Sequence, residues 1–325
     1  MISVALCVYN GERFLEEQLS SIKAQSLQVN ELVVCDDCST DKTFDIVTHF
    51  SKTVSFPVRY YKNDTQLGST KNFEKCVQLC TGDIIFFCDQ DDTWLTDKVA
   101  KQVAYLNQHP KINAVFSDGG LMDEHSKPLA GKIWEAVSFD IKAQQQWLNG
   151  EAYKLLYRGY VVTGATLAIR ASILPRVTPF PDGIKEMIHD SWITLLLAMN
   201  NEIGFINEPL INYRRHASQQ VGFGTSQKYV TFTERFKRPR TEKIEPIEKE
   251  LTKLKQIYAL LVNITLVPKN ILTKLATLIK HLEKRIALPQ NRLMRIPFIF
   301  VELLAGRYYD PQKHWWKTVL GDLLE

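Results

Sequence analysis

The chain has 325 residues, 45% of them hydrophobic and 23% charged, which excludes disorder as its main state and fits one large α/β domain with an appendage, or two domains. Its 15 glycines and 6 cysteines exclude collagen-like and disulfide-stapled miniature classes. The formal charge of +4 is lopsided: residues 1–233 hold 22 basic and 26 acidic residues, a balance of −4, and residues 234–325 hold 18 and 10, a balance of +8.

The first 118 residues alternate strand and helix patterns. ISVALCVY is an unbroken apolar run, and GERFLEEQLSSIKAQS has helical spacing through Phe14, Leu15, Leu19 and Ile22. ELVVCD reads as a strand and STDKTFDIVTHFSK as a helix, with Ser39 or Thr40 as cap and Asp41 at its positive end. VRYYKN, GDIIFFCD and INAVFSD read as further strands, separated by the helices STKNFEKCVQLC and TDKVAKQVAYLNQHP. Continuous apolar strands separated by helices predict a parallel sheet covered on both faces, with the strand C-termini along one edge.

Ligands bind at that edge in open α/β sheets. The residues expected there are Tyr9, Asn10 and Gly11, then Asp36 and Asp37, then Asn63, Asp64 and Gly68. Asp89, Gln90, Asp91 and Asp92 follow the fourth strand, and Ser117 and Asp118 the fifth. Carboxylates gathered on one rim repel one another unless something positive sits among them, and a hard divalent cation with oxygen ligands is the simplest answer. No glycine-rich dinucleotide or P-loop pattern follows the first strand.

All six cysteines lie within the first 88 residues, and Cys35–Cys38 and Cys76–Cys80 have C-x2-C and C-x3-C spacing. Zinc is the competing reading. Cys7, Cys35 and Cys88 fall in apolar strand runs and Cys76 and Cys80 at helical spacing, which favours cysteine as a small hydrophobe.

Residues 119–233 break the alternation. VVTGATLAIR reads as a strand, HDSWITLLLAMN as a helix starting near Asp190, and IGFINEPLINYRRH as a strand pair turning at Glu208 and Pro209. Residues 119–160 and 176–190 are expected as loops that shape the pocket. From Glu234 the chain is helix-rich and basic. RIPFIFVELLAG is flanked by Arg292, Arg295 and Arg307, with Trp315 and Trp316 beyond. That pattern suits an interfacial anchor on an anionic membrane surface, or a helix packed on the body or on a second subunit as a homodimer. No run of eighteen apolar residues occurs and Met1–Val4 lacks the basic start of a signal peptide. A cytoplasmic protein, peripheral on the inner face of the cell membrane through its tail, is therefore expected.

The stretches VALCVYNGERFLEEQLSSI, VVCDDCSTDKT, LGSTKNFEKC, GDIIFFCDQDDTW, GATLAIR, HDSW and YRRHASQQVG occur in order over about residues 2–222. Together they resemble the inverting family-2 glycosyltransferases of GT-A fold, in particular a rhamnosyltransferase-like branch. The resemblance implies an α/β nucleotide-diphospho-sugar transferase: a mixed sheet flanked by helices over residues 1–233. Residues 1–118 would be the nucleotide-binding half, 119–233 the acceptor half, and 234–325 a basic helical region. Activity would be transfer of rhamnose or another hexose from a dTDP- or UDP-linked donor to a cell-surface glycan or lipid-linked acceptor, in polysaccharide biosynthesis of the cell envelope.

The same resemblance assigns Tyr9, Asn10, Glu12, Asp36, Asp37, Lys71 and Asp89 to the nucleotide. Asp89-Gln90-Asp91 looks like the family's D-x-D motif, with Asp89, Asp91 and His216 on Mg2+ or Mn2+. Arg214, Arg215, Gly164 and Ala165 would face diphosphate and sugar. Asp190 would be the general base, and Asp92, Trp94 and Trp192 would meet the acceptor. Where relatives more often have Glu-Asp, this chain has His189-Asp190. Each assignment has a plainer counterpart: turn and cap duty for Asp36, Asp37 and Asp190, a solvated Lys71, a structural His216, and core packing for Trp94 and Trp192. A sugar nucleotidyltransferase would need a basic glycine-rich loop where YNGER stands. A zinc-bearing nucleic-acid-binding module would need the cysteines and the tail. An inactive glycan-binding relative would not need both Asp91 and Asp190.

Overall fold

The computed structural model describes residues 1–157, 159–184, 187–217, 219, 238–309 and 315–324. They fall into two compact units, Met1–Phe223 and Gly224–Glu325. The boundary expected at 233/234 lies outside the described residues.

In the first unit β1 (Ile2–Val8), β2 (Glu31–Asp36), β3 (Val58–Lys62) and β4 (Ile84–Asp89) run parallel in the order β3-β2-β1-β4. β2 is buried at every position and β1 at all but Cys7, as both-face coverage requires. The connecting helices are α1 (Leu15–Lys23), α2 (Thr43–Ser51) and α3 (Ser69–Leu79), with α4 (Lys98–Gln108) after β4. Val8 pairs with Asp36 and Cys7 with Asp89, so β2 and β4 end level on either side of β1. Two strand spacings put those ends about 10 Å apart.

Beyond β4 the sheet is mixed. β8 (Ala168–Arg170) lies antiparallel between β4 and β6 (Ala114–Met122), and β9 (Ile203–Arg214) runs parallel to β6. β5 (Thr93–Trp94) closes the far edge against β9, and β7 (Pro128–Lys132) folds back on β6. The five strands expected to be parallel, β1 to β4 and β6, thus run one way, and the expected mixed sheet arises where β8 enters between β4 and β6.

Three local expectations change. The segment read as IGFINEPLINYRRH is one strand, not a pair: its pairing slips from Ser117–Ile206 to Asp118–Pro209, a bulge at a residue with no N–H to give. Within VVTGATLAIR, Gly164–Thr166 is a single 3-10 turn, and only Ala168–Arg170 is strand. Helix α2 starts after Lys42 rather than at a Ser39 or Thr40 cap, because those residues bond Asn10 instead.

Residues 119–157 are not an open loop. After β7 come the short helices α5 (Ile133–Ala136), α6 (Ile141–Gln146) and α7 (Ala152–Leu156). Phe116, Trp134, Phe139, Trp147 and Phe205 pin them to the sheet, with ring centroids 4.9–6.5 Å apart.

The second unit shows four helices among the described residues: Arg240–Leu261, Lys269–Ile286, Arg292–Leu304 and Trp315–Leu324. Leu254, Ile257, Leu261 and Leu275 are fully buried in it. Asp322, also fully buried, accepts from Arg285 Nε at 2.8 Å and Tyr308 Oη at 2.7 Å.

Candidate active site

The loops after β1, β2 and β4 meet on the predicted edge. Gln90 staples two of them: its Oε1 accepts Tyr9 N–H at 2.8 Å and its Nε2 donates to the Tyr9 carbonyl at 3.0 Å. The Tyr9 ring is left 40% exposed, open to a base. Asn10 sits at φ +48°, and its Oδ1 accepts Thr40 N–H at 2.9 Å. Glu12 accepts Lys42 N–H at 3.1 Å and gives its own N–H to Asp41 at 2.9 Å. Tyr9, Asn10 and Glu12 are therefore brought together, with the latter two already shaping the loops.

Asp36 and Asp37 depart from their assignment. Asp36 is fully buried; its Oδ1 accepts Ser39 N–H at 2.7 Å and its Oδ2 accepts the Tyr60 hydroxyl. Asp37 Oδ1 accepts from Asn63 Nδ2 and Leu67 N–H, and Oδ2 from Gly68 N–H at 2.8 Å. Gly68, at φ +77°, turns its N–H toward that carboxylate in a conformation other residues resist. Both acids thus build the loop floor, the turn role that a buried acceptor-only group fills well. Lys71 is turned away as well, its Nζ on Glu74 at 2.8 Å and the Phe180 carbonyl at 2.7 Å.

The D-x-D turn is set by short pairing. β5 follows Asp92 directly and bonds β9 through Thr93–Asn212, so the end of β9 is carried to the turn. There His216 Nε2 lies 2.9 Å from Asp91 Oδ2, with the His216 ring against Phe14 at 4.9 Å. Burial pushes Asp89 up to about 8, and the charges of Asp91 and Asp190 add to it, so the three carboxyls share one cleft.

Arg214 and Asp92 are corrected. Arg214 is fully buried: its backbone N–H donates to Asp92, its Nε to the Asp91 carbonyl at 2.6 Å, and its guanidinium to Glu17 at 2.6 Å and Ser126 at 2.8 Å. It holds the turn and leaves no fork for phosphate. Arg215 is exposed beside it. Asp92 is 1% exposed, its Oδ2 finds no hydrogen-bond partner, and burial with the Asp91 and Asp89 charges raises it well above the carboxylate range. Buried, it props the loop through the Arg214 N–H rather than facing an acceptor.

Asp190 sits in the first turn of α9 (His189–Ala198), which follows the short α8 (Leu174–Val177) and begins one residue before the expected start. Its Oδ1 accepts Ser191 N–H at 2.5 Å and the Tyr160 hydroxyl at 3.1 Å, and its Oδ2 accepts Gly164 N–H at 2.8 Å. Burial nonetheless raises it to about 6. Gly164 is needed for closeness: a Cβ there would come 3.1 Å from His189 Nε2 and 3.2 Å from Asp190 Oδ2. Gly164 thus packs against Asp190 and His189, and Ala165, 1% exposed, gives its carbonyl to Lys98 at 3.2 Å.

His189 stacks on Phe73 at 4.1 Å, and neither ring nitrogen has a partner. Burial pulls it down to about 3, so it is neutral. The unfolded chain takes up a proton on this residue below pH 6.5 and the folded one does not until about 3, so stability is lost as pH falls through that window. Relative to His189→Leu, the wild type should lose about 2 kcal/mol between pH 6.5 and 5, read from urea midpoints. Parallel pH dependence of the two proteins would contradict this.

Trp94 and Trp192 are core residues, 5% and 4% exposed; Trp94 packs on Phe86, and Trp192 Nε1 donates to the Val177 carbonyl at 2.9 Å. Sequence reasoning missed Tyr160, whose only signal is a tyrosine four residues before Gly164. It also missed Lys98, fully buried in α4 and lowered to about 7 by that burial, which with Gln102 fixes the turn carrying Gly164 through the Ala165 and Thr166 carbonyls.

Asp91 and His216 together offer a carboxylate and an imidazole at one point. Among the described residues no group of three His, Cys, Asp or Glu side chains is placed to hold a metal ion. The pair fits Mg2+ or Mn2+ of the type that takes its other ligands from substrate phosphates and water. A cation would also offset the Asp91 and Asp190 charges that add to the effect of burial on Asp89.

Residues 3–156 match the sequence model described as Glycosyl transferase family 2. An uncharacterized protein of Mycobacterium tuberculosis is 27% identical over 225 residues, 66% of this chain and 59% of that protein. The chain therefore spans less than two thirds of that relative's length. The abequosyltransferase RfbV of Salmonella typhimurium is 32% identical over 114 residues, 34% of each chain. The crystal structure of Staphylococcus aureus TarS 1-349 in complex with UDP-GlcNAc superposes with a TM-score of 0.53 at 16% identity, covering 78% of this chain and 66% of that one. That likeness shows the fold: a GT-A-type mixed sheet flanked by helices, followed by a helical C-terminal region.

Proposed function

We propose that the chain transfers a sugar, with inversion, from a nucleoside diphosphate to an acceptor hydroxyl, with Asp190 as general base. The observation that carries this is the cleft shared by Asp89, Asp91 and Asp190, in which burial raises Asp190 to about 6. That value leaves it ionised at neutral pH while keeping it basic enough to take a hydroxyl proton. In the step, the acceptor proton passes to Asp190, the acceptor oxygen bonds the anomeric carbon, and the carbon–phosphate-oxygen bond breaks with its electron pair going to the diphosphate. Tyr160 and the Gly164 N–H hold the carboxylate in place.

The nucleotide lies against Tyr9, with Asp89 near the ribose and Arg215 toward the diphosphate. Asp91 and His216 would hold the divalent cation, which supplies charge neutralisation for the departing diphosphate. The family match and the UDP-GlcNAc bound by TarS support a nucleotide-sugar donor. The name of RfbV, an abequosyltransferase, supports transfer of a sugar; we infer rhamnose or another hexose as that sugar and a cell-surface glycan or lipid-linked oligosaccharide as its acceptor. No described helix is long and apolar enough to cross a membrane.

A thermal-shift and donor-hydrolysis screen over UDP- and dTDP-sugars, with and without Mn2+, tests the reading. A stabilising shift and slow hydrolysis with one donor, dependent on Mn2+, are expected. No shift with any nucleotide sugar, alongside binding of nucleoside triphosphate and sugar phosphate, would favour the nucleotidyltransferase instead.

A further inference from the structure

Helix Arg292–Leu304 is built inside out. Its inward side carries charge: Arg295, 4% exposed, donates to the carbonyls of Pro289 at 2.7 Å and Asp322 at 3.1 Å. Glu302, 3% exposed, meets His281 at 2.9 Å, Lys284 at 2.6 Å and Arg307 at 2.5 Å. Its outward side is apolar. Leu293, Ile296, Phe298, Phe300, Val301 and Leu304 are between 51% and 76% exposed. At 100° per residue they and Pro297 fill one continuous arc of roughly 200°, with no polar side chain within it. A single exposed leucine is ordinary; a whole helix face is not.

Charge decides what covers that face. The exposed charged residues that bracket it are Arg292 and Arg307, and the one acid of the helix is buried and paired. The inward side packs on helix Trp315–Leu324 through Ile299, Leu303, Val319 and Leu323. Beside that second helix lies a cleft of about 240 Å³ lined by Arg238, Lys243, Arg285 and Lys317, with Asp322 as its one acid. Trp315 and Trp316 on the same helix are 39% and 46% exposed. An apolar arc bracketed by arginines, with exposed tryptophans and a cationic cleft on the adjoining helix, matches a bilayer of anionic phospholipid: acyl chains for the arc, phosphates for the cations. A second copy of this chain would bring the same positive charge to the same face.

We propose that this helix pair docks the protein on an anionic phospholipid surface, lying in the interface rather than crossing it. The proposal is independent of the glycosyl-transfer reading. The test is flotation of the full chain with vesicles of phosphatidylglycerol and phosphatidylcholine against phosphatidylcholine alone. Binding to the anionic vesicles is expected, weakened by 0.5 M salt and at least tenfold by Phe298→Glu/Phe300→Glu, both exposed positions. A measurement on the wild type stands beside it: brominated lipid should quench Trp315 and Trp316, since the other four tryptophans are at most 5% exposed. Absence of flotation, undiminished binding by the double variant, or no quenching would overturn it. So would sedimentation showing, without lipid, a dimer that the double variant dissolves; that result would assign the face to a second copy.

Discussion

Asp190→Asn is expected to lower kcat by about 10²–10⁴-fold while donor binding and folding stay close to wild type. The replacement is nearly isosteric, but Gly164 and Ser191 donate to different carboxylate oxygens, so the single amide oxygen keeps one of these bonds and gives up the other, at a modest cost in stability. What it loses is the ability to take a proton. The pH profile adds a second signature. With Asp190 raised to about 6, activity should climb as pH rises through 6, because only the ionised form is a base. The residual activity of the variant should lack that limb. Turnover within a factor of a few of wild type would remove Asp190 from the chemistry and leave it as a buried residue of the α9 N-terminus.

Asp91→Ala is the second large effect, about 100-fold or more in kcat/KM, because it removes the carboxylate that faces both His216 and the diphosphate site. Asp92→Asn is the informative contrast. Asp92 is 1% exposed and accepts the Arg214 N–H on Oδ1, so an amide of the same shape can keep that bond and should leave the metal dependence of turnover unchanged. Kinetics over a range of Mn2+ concentrations separate the two. Equal losses in both variants would mean that the turn acts through its shape alone.

These expectations rest on residues that the sequence made visible for a physical reason. Strands β1, β2 and β4 are continuous apolar runs, and a run that ends in a carboxylate marks the edge where a ligand binds, which singled out Asp89 and Asp91; Asp190, at a helix start, was singled out only by the HDSW motif. His216 was legible from its motif, but only the β5–β9 pairing explains why it reaches Asp91. Asp36 and Asp37 were misread because an acid at a strand end looks the same whether it faces a ligand or its own loop; Tyr60, Asn63 and Gly68 decide that, and they come from distant positions. Arg214 was misread for the same reason: a guanidinium is as well suited to Glu17 and a carbonyl as to phosphate. The reversal at β8 was not legible, since three strand residues carry no periodicity. In the tail, composition identified an apolar stretch with arginines around it, but only burial showed that Arg295 and Glu302 face inward and the phenylalanines outward.

The central claim is that Asp91 and His216 meet a nucleoside diphosphate through a divalent cation in the cleft at the end of β4. Calorimetric titration of the full chain with UDP and dTDP, with and without Mn2+, addresses it most directly. Binding of one diphosphate that requires Mn2+ and disappears in Asp91→Ala is the predicted result. Binding of equal strength in metal-free buffer, or retained in full by Asp91→Ala, would contradict the account.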